Sequence, residues 1–124
     1  MPPGRRCPGE ISVAGGGHEF YDFNAKYVDD AAALSCPADL PEEAIARVRE
    51  LAAVAFDAVG GEGLSRVDFF YTPDGELIIN EINTMPGFTP KSMYPQMWKA
   101  SGLGYADLID ELIHLALHRK TGLR

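Results

Sequence analysis

The stretch SRVDFFYTPDGELIINEIN, residues 65–83, constrains the fold more than any other part of the chain. Two runs rich in β-branched and aromatic residues flank Thr72-Pro73-Asp74-Gly75, and Asp-Gly between such runs is a strong hairpin signal. With the turn centred between Asp74 and Gly75, Asp68 falls opposite Glu81 and Arg66 opposite Asn83. Residues two apart on a strand share a face, so all four project from one side of the hairpin. Two facing carboxylates repel, so positive charge belongs between them. A hard divalent cation fits, Mg2+ above all, because it needs few protein carboxylates beside waters and phosphate oxygens. A salt bridge through the neighbouring Arg66 fits as well.

Helical periodicity surrounds the hairpin. From Pro41 to Val59 the residues Ile45, Val48, Ala52, Ala55, Phe56 and Val59 form one stripe among charged neighbours. Glu42 and Glu43 suit the N-terminal dipole, Pro41 suits the first turn after a cap at Asp39 or Leu40, and Gly60-Gly61 ends the helix. A shorter helix begins near Ser92, whose hydroxyl can cap it. A third runs from Tyr105 to Arg119 with Leu108, Ile109, Leu112, Ile113 and Ala116 facing inward. Upstream, residues 1–10 form an unstructured lead-in rich in Pro and Gly. Ile11-Ser12-Val13 forms a short strand, and Gly15-Gly16-Gly17 a flexible connection, since no Gly-Lys-Ser/Thr comes after it to make a phosphate loop. Residues 20–36 form an ordered loop. The fold class is α+β, mainly antiparallel, with the hairpin packed by helices.

The net charge of −7 and pI near 4.8 argue against a nucleic-acid partner. No apolar run is long enough to span a bilayer, and the basic start lacks the apolar stretch of a signal peptide. Cys7 and Cys36 could pair, but without metal-type spacing they read rather as reduced thiols of a cytoplasmic protein. His114 and His118 stand one helical turn apart; without a third ligand they favour the helix dipole over a metal. Trp98 and Tyr105 read as packing residues. Tyr94 either lines a pocket or covers the short helix.

The hairpin continues into NEINTMPGFT, residues 80–89, and the whole stretch from Ser65 to Thr89 resembles the metal-binding end of the D-alanine–D-alanine ligases. These belong to the ATP-grasp enzymes. The wider superfamily shares the acidic residue and E-x-N, whereas T-x-P-G-F-T continuing to Ser92 points to this one family. FYDFNAKYVDD, residues 20–30, resembles the family's lysine-bearing loop that closes over the active site. The resemblance extends over about residues 10–119 and implies that residues 11–124 are the C-terminal part of an ATP-grasp domain.

The resemblance implies roles residue by residue. Asp68, Glu81 and Asn83 match ligands for two Mg2+ or Mn2+ ions that hold the phosphates of ATP. Arg66 matches the arginine that stabilises the developing oxyanion and acyl phosphate. Gly87 matches a backbone N–H that approaches the tetrahedral centre. Ser92, with the backbone of Met93, matches the site for the second D-alanine's carboxylate. Lys26 and Tyr27 match loop contacts to phosphates and substrates, and Phe20 and Phe70 positions near the adenine. ATP would phosphorylate one D-alanine, and the amine of a second would attack the acyl phosphate, giving the dipeptide used in peptidoglycan synthesis.

The family's N-terminal and lid domains have no match in residues 1–19, so the chain is expected to be the C-terminal portion of the enzyme, a fragment or a mis-started frame. Alone it is expected to be inactive and to leave sheet edges and apolar surface uncovered. The parent enzyme is expected to be a cytoplasmic homodimer. Another ATP-grasp carboxylate–amine ligase, or a non-catalytic metal- or nucleotide-binding remnant, stays open, as does D-lactate or D-serine as second substrate.

Overall fold

The computed structural model describes residues 8–13 and 32–120. Along the chain run β1 (Glu10–Val13), β2 (Ala32–Ser35), α1 (Glu42–Ala58), β3 (Arg66–Tyr71), β4 (Leu77–Asn83), α2 (Met93–Ala100) and α3 (Tyr105–His118). The strands form two antiparallel pairs, β1 with β2 and β3 with β4, and the architecture is α+β. β2 falls inside the segment expected to be a loop. Ala-Ala-Leu-Ser has neither alternation nor strong β propensity, so pairing with β1 makes it a strand.

The central hairpin pairs Arg66 with Asn83 and Asp68 with Glu81, as the sequence predicts, but by a different route. The turn is not the expected two-residue one. Thr72 N–H donates to the Glu76 carbonyl at 2.9 Å, leaving a three-residue loop, Pro73-Asp74-Gly75. Gly75 closes it at φ 83°, the left-handed region that glycine enters without a Cβ penalty. The odd loop pairs Tyr71 with Leu77 and Phe69 with Ile79, and the register then shifts at Asn80. This β-bulge adds the residue that brings Glu81 opposite Asp68.

α1 starts one residue later than the sequence suggests, with Pro41 itself in the N-cap position. It ends as Gly60-Gly61 predicts. Gly61 N–H bonds the Phe56 carbonyl and Gly60 N–H the Asp57 carbonyl, a Schellman arrangement with Gly60 at φ 64°. Gly60→Ala is expected to cost about 1–2 kcal/mol, the steric penalty of a Cβ in that region; urea unfolding measures it.

α1 lies against both strands of the hairpin, and α2 against α3. Between α1, β3 and α2 remains a cleft of about 700 Å³, lined among others by Val48, Ala52, Phe56, Phe69, Tyr94 and Trp98. The core is accordingly small: among the described residues Ala38, Tyr94 and Leu108 are the buried hydrophobic ones. The α1 stripe is half-buried apart from Val59, which is exposed. On α3, Leu108 is buried and Leu112 half-buried, but Ile109, Ile113 and Ala116 are exposed, contrary to the inward face expected for them. Phe70, Ile78, Ile79 and Met85 are exposed too, and among the described residues each strand has an open edge, in line with the uncovered surface expected. No helix among the described residues is long and apolar enough to cross a membrane.

Candidate active site

The register of β3 and β4 gathers Arg66, Asp68, Glu81 and Asn83 on one face. The guanidinium lies between the carboxylates. Arg66 Nε donates to Asp68 Oδ1 at 2.8 Å and Nη2 to Oδ2 at 2.9 Å, a bidentate fork. Nη2 also reaches Glu81 Oε1 at 3.3 Å. The arginine thus supplies the positive charge that two facing carboxylates require. Its hold on Glu81 is the weaker one, since that side chain is 54% exposed and solvent screens the pair.

The donor set fits a hard cation. Two carboxylates and a carboxamide offer oxygen alone, which suits an ion that keeps several waters. Among the described residues no group of three or more His, Cys, Asp or Glu converges, so the protein alone makes no closed metal cage. Asn83 Oδ1 accepts from Met85 N–H at 3.0 Å, which fixes the carboxamide against the start of the following loop.

That loop carries the second group of residues. Pro86 is buried, while Met85, Gly87, Thr89, Pro90 and Lys91 are exposed. A Cβ on Gly87 would lie 3.1 Å from Ser92 Oγ, so the glycine makes room for the hydroxyl. Ser92 is the N-cap residue of α2, yet its side chain does not cap the helix as the sequence suggests. The hydroxyl turns back instead, accepting from Thr89 N–H at 3.0 Å and sharing a hydrogen bond with Thr89 Oγ1 at 2.8 Å. Thr89 is therefore the local partner that sets this hydroxyl. The motif contains it, but helix-capping logic alone does not give it that task.

Phe70 shares the face of Asp68, opposite Ile78, and is 59% exposed. Met93 is half-buried, and a Cβ on Gly9 would fall 2.8 Å from its Cε. Phe20, Lys26 and Tyr27 lie outside the described residues, as does Cys7. The Cys36 thiol donates to the Gln96 carbonyl at 3.8 Å. His118 Nδ1 donates to the His114 carbonyl at 2.8 Å in the last turn of α3. The contact that sequence reasoning misses is that of Tyr105. Its hydroxyl donates to the Phe88 carbonyl, and its ring lies 5.5 Å from that of Phe88. Seventeen residues separate the two, beyond the reach of any local pattern.

Comparison with known proteins shows the family. The family described as D-ala D-ala ligase C-terminus matches residues 6–114. A D-alanine–D-alanine ligase of Pseudarthrobacter chlorophenolicus is 88% identical over 123 residues, covering 98% of this chain and 32% of that protein. Among solved structures, the D-alanine–D-alanine ligase of Bacillus anthracis superposes with a TM-score of 0.71 at 33% identity, over 88% of this chain and 34% of that one. The VanG D-Ala:D-Ser ligase of Enterococcus faecalis gives 0.70 at 38% identity, over 89% and 31%. The chain thus spans about a third of the length of the curated relatives it matches. With the match running from Arg6 through the hairpin and the Gly87–Ser92 loop to His114, this chain belongs to the D-ala D-ala ligase C-terminus family.

Proposed function

We propose that these residues form the metal-binding and acceptor-binding side of an ATP-dependent ligase that joins two D-alanines through an acyl phosphate. The observation that carries this reading is the juxtaposition of the Arg66–Asp68–Glu81–Asn83 face with the Gly87–Ser92 loop that comes directly after β4. Asp68, Glu81 and Asn83 would hold Mg2+ or Mn2+. Such ions, when bound, neutralise the charge of the nucleotide's phosphates. Arg66, already drawn to this charge, would stabilise the oxyanion that develops as the second amine attacks. Gly87 leaves its backbone N–H open to close approach, and Ser92 with the Met93 amide would bind the acceptor's carboxylate at the start of α2. Phe70 offers apolar surface beside the phosphate side, suited to a nucleotide base, and by resemblance Phe20 would serve the adenine and Lys26 and Tyr27 the phosphates and substrates. In this reading residues 11–124 are the C-terminal part of one catalytic unit of a cytoplasmic homodimer working in peptidoglycan synthesis.

The test uses the full-length protein that carries this segment, supplied with Mg-ATP and D-alanine, D-serine or D-lactate as acceptor. The VanG neighbour, a D-Ala:D-Ser ligase, makes D-serine a comparison that has to be included. One ADP and one phosphate per D-alanyl-D-alanine are expected. Ser92→Ala should chiefly raise KM for the acceptor, by about 10- to 150-fold, for a charge-assisted hydrogen bond worth about 1.5–3 kcal/mol. A change confined to KM for ATP would sink the assignment of Ser92.

A further inference from the structure

The loop between β4 and α2 poses a mechanical problem. It is largely exposed, it contains a glycine, and in the reading above it must present Gly87 N–H to the tetrahedral centre and Ser92 Oγ to the acceptor's carboxylate. Glycine confers more backbone freedom than any other residue, so the peptide after Gly87 needs an external hold. Phe88 is the next residue, and its carbonyl accepts the Tyr105 hydroxyl from the first turn of α3. Its ring lies 5.5 Å from Tyr105 and 5.7 Å from the buried Tyr94, so two helices grip one residue of the loop.

The grip falls between the two groups it has to coordinate. On one side of Phe88 stands Gly87; on the other stands Thr89, whose N–H and hydroxyl both engage Ser92 Oγ. Tyr105 in turn is fixed by the helix it opens. Leu108, three residues on and 0% exposed, anchors the same helical turn, and its N–H bonds the Gly104 carbonyl at 2.9 Å.

We propose that Tyr105 is a positioning residue for acceptor binding: its hydroxyl pins the Phe88 peptide and thereby sets the spacing between Gly87 N–H and Ser92 Oγ. The role rests on the ligase reading for its functional part and on the loop geometry for its structural part. Tyr105 touches neither substrate nor metal in this scheme; it acts through the loop.

The test is Tyr105→Phe in the full-length protein, which keeps the ring contacts and removes one hydrogen bond. Two measurements are made. Amide hydrogen exchange over residues 87–92 should quicken about fivefold, while α1 and the β3–β4 hairpin stay unchanged. KM for the acceptor amino acid should rise about fivefold, kcat should fall by no more than about the same factor because Gly87 N–H serves the tetrahedral centre, and KM for ATP should stay within about twofold of wild type. Tyr105→Leu, which removes the ring too, should quicken exchange further and extend it into α2. Unchanged loop exchange in Tyr105→Phe overturns the proposal. So does a fall in kcat with acceptor KM unmoved, or faster exchange spread evenly over the molecule, the mark of general destabilisation. If wild-type protein forms no dipeptide, the ligase reading fails and the acceptor role with it, and exchange alone decides whether Tyr105 holds the loop.

Discussion

Glu81→Gln is expected to lower ATP turnover by about a hundredfold or more in the full-length protein while the fold stays in place. The substitution keeps the shape of the side chain and one of its oxygens and removes a full negative charge from the face shared with Asp68. Loss of one preorganised electrostatic partner at a reacting centre is typically worth about 10²–10³ in kcat. The folded state has little to lose. Glu81 is half-exposed, and its contact with Arg66 is longer than that of Asp68 with the same guanidinium, 3.3 Å against 2.8 Å. A screened pair of this kind contributes about 0–1 kcal/mol. Mn2+ binding measured by magnetic resonance in the presence of nucleotide should weaken in parallel, and the circular dichroism spectrum should not change. Normal turnover with normal metal affinity would show that Glu81 does not carry the metal.

Leu108→Ala is expected to unfold much of the population of a marginally stable chain, costing about 2–5 kcal/mol for a fully enclosed leucine. Against the roughly 5–15 kcal/mol that holds a typical domain together, this is a large fraction. Leu108 is the one large side chain with essentially no exposure among the described residues, so its truncation leaves a cavity that its neighbours cannot easily collapse into. Further along the same helix, Leu117 is 76% exposed, and Leu117→Ala should shift stability by no more than about 0.5 kcal/mol. Urea unfolding of the purified chain, read from Trp98 emission, compares the two directly, because the sequence has 1 tryptophan and the signal has a single source. Similar costs at both positions would mean that α3 packs through a different face.

The hairpin and the three helices are legible in the sequence because each is written locally, in alternation, a 3.6-residue stripe or a glycine stop. The stripe of α3 predicts Tyr105–Arg119, and the helix spans Tyr105–His118. The illegible parts depend on distant partners. Ala32–Ser35 becomes a strand by pairing with Glu10–Val13, far upstream. Ile109 and Ile113 are apolar at inward-looking spacing, but the described residues leave them 36% and 54% exposed. The facing carboxylates are readable from strand register alone, and the arginine between them is one of the two ways of neutralising them that the sequence allows. The Ser92 hydroxyl escapes the capping rule because a capping residue can turn either way, and Thr89 offers it two hydrogen bonds on the far side. Nothing local singles out Tyr105, since its partner is a backbone carbonyl, which leaves no trace in side-chain identity.

The bulge at Asn80 divides β4 into two lengths with independent phase. A pleated strand has only two settings, up and down, so each residue added to a turn would ordinarily invert every side chain beyond it. Here the tip of the strand, Leu77 to Ile79, takes its setting from the three-residue turn, and the base, Glu81 to Asn83, takes its setting from Arg66 to Asp68. Asn80 absorbs the difference. The distal loop can therefore gain or lose a residue, with the bulge vanishing or moving to compensate, and Glu81 will still face Asp68. Variation at the solvent end of the hairpin is insulated from the carboxylates by parity, so an ordinary turn can drift in length while Asp68 and Glu81 at the other end of the strands stay in register.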